Sequence, residues 1–385
     1  MRSSTLVISN IAWEFAWQRH QTLATLFAQD SDVVFCELPG VRRVGWRDLP
    51  RIWARWRQLT GRAPAAADDS RGRNPVRVVR PFVLPATNPV FCALNGWLLK
   101  RWLKREPGLR RGVDLLINYS AARTALDLID RVPHGRLIYD CTDDWLAVRG
   151  IPRFLPGDER TLLARADLTL VPSRRLVELK QPFARRLERV PHGALVERFQ
   201  LAPRRRTSTE PVTLLYYGHL HRQHLDFELL DQLARRRPAW RIVLVGPVKT
   251  PHDFPANVQL VGQQPHERLR DFIVTADVLL LPYVINDYTR SVLPAKIYEC
   301  LATGRPIVAV PLPELTADFA EQLQFATGAD GFVGEVESAL AHDTPARAAA
   351  RVALAHANTW DQRYARVRAL LAQLPARRPP EPGPI

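Results

Sequence analysis

Lysine is scarce in this 385-residue chain, five against 49 arginines, and methionine occurs once. The four cysteines, Cys36, Cys92, Cys141 and Cys300, lie far apart within apolar stretches. No C-x-x-C pair occurs, so the spacing of a zinc or dithiol redox site is missing, and buried thiols in a reducing compartment are the simplest account. No window reaches the ~20 apolar residues of a membrane-spanning helix. Met1 to Ile11 runs straight into a strand-like stretch, with neither a basic leader nor a long apolar segment. These absences together lead us to expect a soluble, cytoplasmic chain.

What is abundant is positive charge, a formal net +15, which asks for an anionic partner. The charge is grouped. Arg42 to Arg62 interleaves arginines with Trp46, Trp53 and Trp56, and Asn88 to Arg111 sets Lys100, Arg101, Lys104 and Arg105 among Phe91, Leu94, Trp97, Leu98 and Trp102. Spacings of three and four residues predict that Phe91, Leu94, Leu98 and Trp102 share one helical stripe with cations at its edge. Such a helix suits an anionic bilayer surface, with Trp53, Trp56, Trp97, Trp102, Lys100 and Arg101 as the contact residues, although an aromatic stripe can equally be core. Nucleic acid is the weaker partner, because no zinc-finger spacing or RNP-type aromatic motif accompanies the charge.

A hydrophobic fraction of 46% can fill more than one core, and the length suits two α/β domains. Strand-like and helical stretches alternate from Thr5 to Pro191 and again from Val212 to Val310, the pattern of parallel sheets covered by helices on both faces. Between them Gln200 to Pro211 reads as a polar, proline-bounded linker. We therefore expect an N-terminal domain over 1–199, a linker over 200–211, a C-terminal domain over 212–357, an amphipathic helix over 358–374 and a disordered tail over 375–385. Ligands of such sheets bind outside the carboxyl ends of the strands, which makes a cleft between the two domains the default site.

The most informative run is Val292 to Pro311, V-L-P-A-K-I-Y-E-C-L-A-T-G-R-P-I-V-A-V-P. Pro294 is placed to open a helix, Gly304 to end it, and an apolar strand follows. A helix start carrying Lys296 suits a diphosphate, and Glu299 can accept hydrogen bonds from two ribose hydroxyls. The segment resembles the donor-nucleotide signature of GT-B glycosyltransferases, in particular the bacterial group with P-x-K-x-Y-E-x-L-A-x-G-x-P that acts in exopolysaccharide and teichuronic-acid-type assembly. Further segments follow in family order: A-W-Q-R-H-Q from Ala16, L-I-Y-D-C-T-D-D-W from Leu137, A-D-L-T-L-V-P-S from Ala166, V-P-H-G-A-L-V-E-R-F from Val190, L-L-Y-Y-G-H-L from Leu214 and W-R-I-V-L-V-G-P from Trp240.

That resemblance implies a fold of two doubly wound Rossmann-like domains and a terminal helix that crosses back to the first. It implies transfer of a sugar from a nucleotide diphosphate sugar, UDP being the commonest donor type, to a lipid-linked or polysaccharide acceptor at the inner face of the membrane. It implies no metal and no other cofactor. The donor would be held by Gly218, Arg222, Gly246, Tyr283, Asn286, Lys296, Tyr298 and Glu299. A catalytic base is sought among Asp140, Asp143 and Asp144, with Asp140 first and His20 as the rival, since crowded like charges raise a carboxylate pKa. His219, His221 and His224 have no interleaved carboxylate, so they read as phosphate or sugar contacts or a solvated loop rather than as metal ligands. Asn286 and Asp287 read equally as turn residues. Ser291 stands where retaining relatives carry a glutamate, which leaves the stereochemical outcome open. A sugar-nucleotide epimerase of the same fold and a non-catalytic basic binding protein are the alternative readings.

Overall fold

A computed structural model describes residues 2–14, 17–40, 75–148, 150–202, 210–375 and 379. The expectations for Trp53, Trp56 and the rest of Arg42 to Arg62 lie outside the described residues, as do those for most of the linker and most of the tail. The chain divides into two compact units. The first comprises the chain up to Pro172, Leu176–Val190 and the residues from Tyr364 on, and the second comprises Ser173–Arg175 and Pro191–Arg363. The boundary falls at Val190, ahead of the expected one, and the helix Trp360–Ala372 is shared, its residues from Tyr364 belonging to unit 1.

Unit 1 is built on a seven-stranded sheet of β1 (Ser3–Ser9), β2 (Ser31–Glu37), β3 (Val76–Val79), β4 (Val113–Asn118), β5 (His134–Asp140), β6 (Leu168–Val171) and β7 (Leu187–Arg189). The spatial order is β3-β2-β1-β4-β5-β6-β7 and every pairing is parallel. A parallel strand is covered on both faces, and β1 shows it: Leu6 and Ile8 enter one apolar cluster while Val7 enters the other. The second cluster also takes Val367, Leu370 and Leu371 from the terminal helix.

Unit 2 repeats the plan with β8 (Thr213–Tyr217), β9 (Arg241–Val245), β10 (Val258–Gly262), β11 (Val278–Leu281), β12 (Ile307–Ala309) and β13 (Gln324–Phe325), ordered β10-β9-β8-β11-β12-β13 and parallel throughout. In both sheets the first strand sits between the second and the fourth, the doubly wound order whose switch point collects ligands at the strands' carboxyl ends. For unit 2 that point lies between β8 and β11, so Gly218, directly after β8, and Tyr283, just past β11, are brought to one edge.

Two helical expectations change. The Pro294 segment begins with a turn, Ile297 N–H donating to the Pro294 carbonyl at 3.0 Å, and only Ile297–Ala302 is α-helix, with Lys296 at its N-cap. Pro294 therefore precedes the helix rather than opening it, and six residues sum to a small dipole. Gly304 does end it, at φ +69°, a left-handed position that suits glycine. The second change concerns the helix Pro89–Leu103, started by Pro89 and capped by Asn88 Oδ1, which accepts from Phe91 N–H at 2.9 Å. Its core side is Asn95, Leu99 and Leu103, whereas Leu98 and Trp102 are half-buried against the core edge. The exposed large apolar residues are Val90, Leu94 and Trp97, at 73%, 42% and 58%, so Leu94 alone of the expected stripe is exposed.

Candidate functional site

The edge of unit 2 at the β8–β11 switch point is organised around the Lys296 ammonium. Nζ donates to the Tyr217 carbonyl and lies 3.7 Å from the Tyr216 ring centroid, with the rings of Tyr217 and Tyr283 at 5.2 and 5.7 Å. Cation–π attraction offsets part of the lost hydration. Burial nevertheless dominates and brings the lysine pKa down to about 8 from its ordinary 10.5, with Glu299 acting in the opposite direction. The result is a desolvated cation with no ion-pair partner among the described residues, a group that an anion arriving at this edge would satisfy.

Two glycines permit the close packing around it. Gly218, at φ +139°, lies where a Cβ would stand 2.6 Å from Lys296 Nζ, and Gly246, at φ +147°, lies where a Cβ would run into the Gly218 carbonyl. Both positions are left-handed and sterically closed, so any side chain would displace the lysine or the β8 loop. Glu299, half-buried, accepts from or faces His266 Nε2 at 3.4 Å, and His266 in turn packs edge-on against Phe199 at 5.4 Å.

Other expected donor contacts sit differently. Tyr298 is buried, packed edge-on against Phe319 at 5.5 Å with the Arg363 guanidinium over its ring at 5.4 Å, so it supports the helix from behind rather than facing a ligand. Asn286 is a turn residue: Oδ1 accepts from Thr289 N–H at 3.0 Å, and Nδ2 donates to the Gln223 carbonyl at 2.8 Å, tying the β11 loop to the β8 loop. Arg222 lies in that β8 loop with Nη2 2.6 Å from His252 Nδ1. His219 is held below its ordinary pKa by burial and by the cations of Lys249 and Lys296. Among the described residues no group of three or more His, Cys, Asp and Glu side chains is placed to hold a metal ion.

Unit 1 carries its own polar cluster at the carboxyl ends of β1, β4 and β5. Asp140 Oδ2 accepts from Arg19 Nε at 2.8 Å, Arg19 Nη1 also donates to the Val190 carbonyl at 2.9 Å, and His20 stacks on Tyr119 with centroids 3.7 Å apart while Nδ1 meets Ser9 Oγ at 2.8 Å. None of these five side chains is more than 3% exposed. Burial pushes the Asp140 pKa up against the pull of Arg19, and burial with the Arg19 charge brings His20 down to about 3. Asp140 and His20 are therefore sealed, and the expected cause of the raised carboxylate pKa, crowding by Asp143 and Asp144, gives way to desolvation. Asp144 is tied to Lys180 Nζ at 3.3 Å, which also pairs with Glu159 at 2.9 Å, and Asp143 Oδ2 accepts from Thr142 Oγ1 at 3.0 Å; both aspartates are half-buried.

Sequence reasoning missed Tyr216, Tyr217, His252 and His266. The Tyr-Tyr-Gly triplet at the end of β8 was a legible signal for the first two, whereas the histidines reach the site from distant loops and left none.

Residues 222–371 match the family model described as glycosyl transferase-like. The chain is similar to TuaH of Bacillus subtilis, named as a glycosyltransferase of teichuronic acid biosynthesis, with 25% identity over 203 residues, 46% of this chain; the match spans about half of that relative, 51% of its length. Among solved structures, sucrose-phosphate synthase of Thermosynechococcus elongatus superposes with a TM-score of 0.69 at 16% identity, covering 97% of this chain and 99% of the other. HepE of Anabaena, solved with UDP and glucose, gives 0.68 at 13% identity, covering 97% of this chain and 100% of the other. These structures share the GT-B architecture of two parallel-sheet units, which is the fold of this chain, and the glycosyl transferase-like pattern lies on its second half.

Proposed function

We propose that the protein transfers a sugar from a nucleotide diphosphate sugar, a UDP-sugar by preference, to a lipid-linked or polysaccharide acceptor in the assembly of a cell-surface polysaccharide. The observation that carries this reading is the desolvated Lys296 ammonium at the switch-point edge of unit 2, packed against Gly218, a position where a side chain would displace it. A leaving diphosphate gains negative charge in the transition state, so a cation held in a poorly hydrated place stabilises it more there than in the ground state. Glu299 is assigned to the ribose hydroxyls, as acceptor of their hydrogen bonds. The UDP in the HepE complex and the teichuronic acid role in the name of TuaH support the donor and acceptor classes. The reading takes the nucleotide sugar as a co-substrate and assigns no metal or further cofactor.

Acceptor activation is assigned to Asp143 and Asp144, since Asp140 is locked to Arg19. The acceptor class also fits the outer face of the helix Pro89–Leu103, where Val90, Leu94 and Trp97 are exposed and Lys100, Arg101, Lys104 and Arg105 follow on the exposed side. Apolar side chains beside a row of cations complement an anionic bilayer, and this face is proposed to rest on one at the cytoplasmic side. Release of nucleotide from a panel of UDP-, GDP- and dTDP-sugars, compared between wild type and the Lys296→Ala and Glu299→Ala variants, tests the donor site. Turnover unchanged in both variants would discard it.

A further inference from the structure

Arg222 is held by a two-step hydrogen-bond chain on unit 2 that the donor reading leaves unused. Its Nη2 lies 2.6 Å from His252 Nδ1, and His252 Nε2 lies 2.7 Å from Asp231 Oδ2. A guanidinium can only donate, so Nδ1 must offer its lone pair; the imidazole proton is then on Nε2, donated to the Asp231 carboxylate. Partner chemistry thus sets the tautomer. The ring is walled by Phe227 at 5.3 Å and Phe254 at 4.3 Å, and the Arg222 guanidinium also rests 5.5 Å from the Phe227 centroid. Asp231, on the helix Phe227–Arg236, and Arg222, in the β8 loop, are the charged groups bonded to the ring.

A long arginine in a glycine-led loop pays heavily in lost rotamers when it binds an anion, unless something has already chosen its conformation. We infer that His252, oriented by Asp231, is a positioning residue that presets the Arg222 guanidinium for a phosphate oxygen of the nucleotide diphosphate. This rests on the donor reading of the same edge. The carboxylate behind the ring strengthens Nδ1 as an acceptor, and the remaining four N–H groups of Arg222 stay available for the anion.

Titration calorimetry of the full-length protein with UDP, GDP and dTDP tests it. His252→Ala is expected to weaken the diphosphate that binds by about tenfold, as is Arg222→Ala, and the double variant no more than either single one, because both remove the same preset contact. His252→Asn, whose Oδ1 can replace Nδ1 as an acceptor, should recover most of the loss, and Asp231→Asn should show a partial one. Thermal melting of each variant identifies any that fails to fold, and His252→Asn and Asp231→Asn then carry the comparison. Additive losses in the double variant, or no recovery of affinity in a folded His252→Asn, would overturn the inference while leaving the donor site standing. Failure of the wild type to bind any of the diphosphates would overturn both.

Discussion

The same strand order produces two different edges in this molecule. In unit 1 the carboxyl ends of β1, β4 and β5 are filled by Arg19, His20, Tyr119 and Asp140, which satisfy much of one another's polarity and are shut off from water. In unit 2 the corresponding edge holds one lysine over three tyrosine rings, with glycines where side chains would displace it or the β8 loop. Charge is neutralised internally in the first, whereas in the second a half-buried lysine has no ion-pair partner among the described residues. The comparison teaches that a titratable residue at a strand's carboxyl end marks a site only when its charge has not been consumed by the fold.

Breaking the internal pair should have the largest effect. Asp140→Ala leaves the Arg19 guanidinium buried without its carboxylate and is expected to cost about 3–5 kcal/mol of stability, read as a shift in the urea midpoint. Donor binding per folded molecule should be unchanged, and a loss of binding without a loss of stability would mean that the two edges were assigned the wrong way round. Lys296→Ala should do the reverse, lowering sugar-transfer turnover by about 10²–10³-fold with little change in melting temperature.

The pH dependence sharpens the contrast further. With the Lys296 pKa at about 8, the cation is present below that pH and lost above it, so diphosphate affinity should fall by about tenfold between pH 7 and 9, measured by calorimetry. Linkage runs the other way for the unliganded fold. The folded pKa lies below the ordinary 10.5, so the unfolded chain holds more protons between those values and the contribution of Lys296 to stability should rise with pH from about 8 to 10.5. Asp140 is expected to contribute nothing to this alkaline limb.

The smallest expected effect lies away from both edges. Trp97→Ser and Leu94→Ser should each weaken cosedimentation with phosphatidylglycerol vesicles by about five- to tenfold, with donor binding intact, since both side chains are exposed and neither supports the core. Equal binding to neutral and anionic vesicles would remove the basic residues from the account.

Much of the layout was legible in the chain because it depends on local rules. Alternating apolar runs and turns predict parallel sheets, and the Lys296 to Gly304 spacing predicts a cation, a short helix and a stop. The register of a helical face is less legible: the Phe91, Leu94, Leu98 and Trp102 spacing fits a core stripe as well as an outer one, and packing chose Asn95, Leu99 and Leu103 instead. Asp140 shows the same limit from another side. Its position at the end of β5 was readable, but the partner that neutralises it lies 121 residues earlier in the chain.

Sequence alone determined the doubly wound class, the switch-point segment with Lys296 and Glu299, and the basic character of the first half, because each follows from short-range spacing and composition. Tertiary structure decided which carboxylates keep their charge available, which face of the helix Pro89–Leu103 meets solvent, and that His252 and Asp231 stand behind Arg222. Those outcomes turn on desolvation and on pairings between distant segments, and a buried charge takes its character from whatever neighbour the fold brings to it.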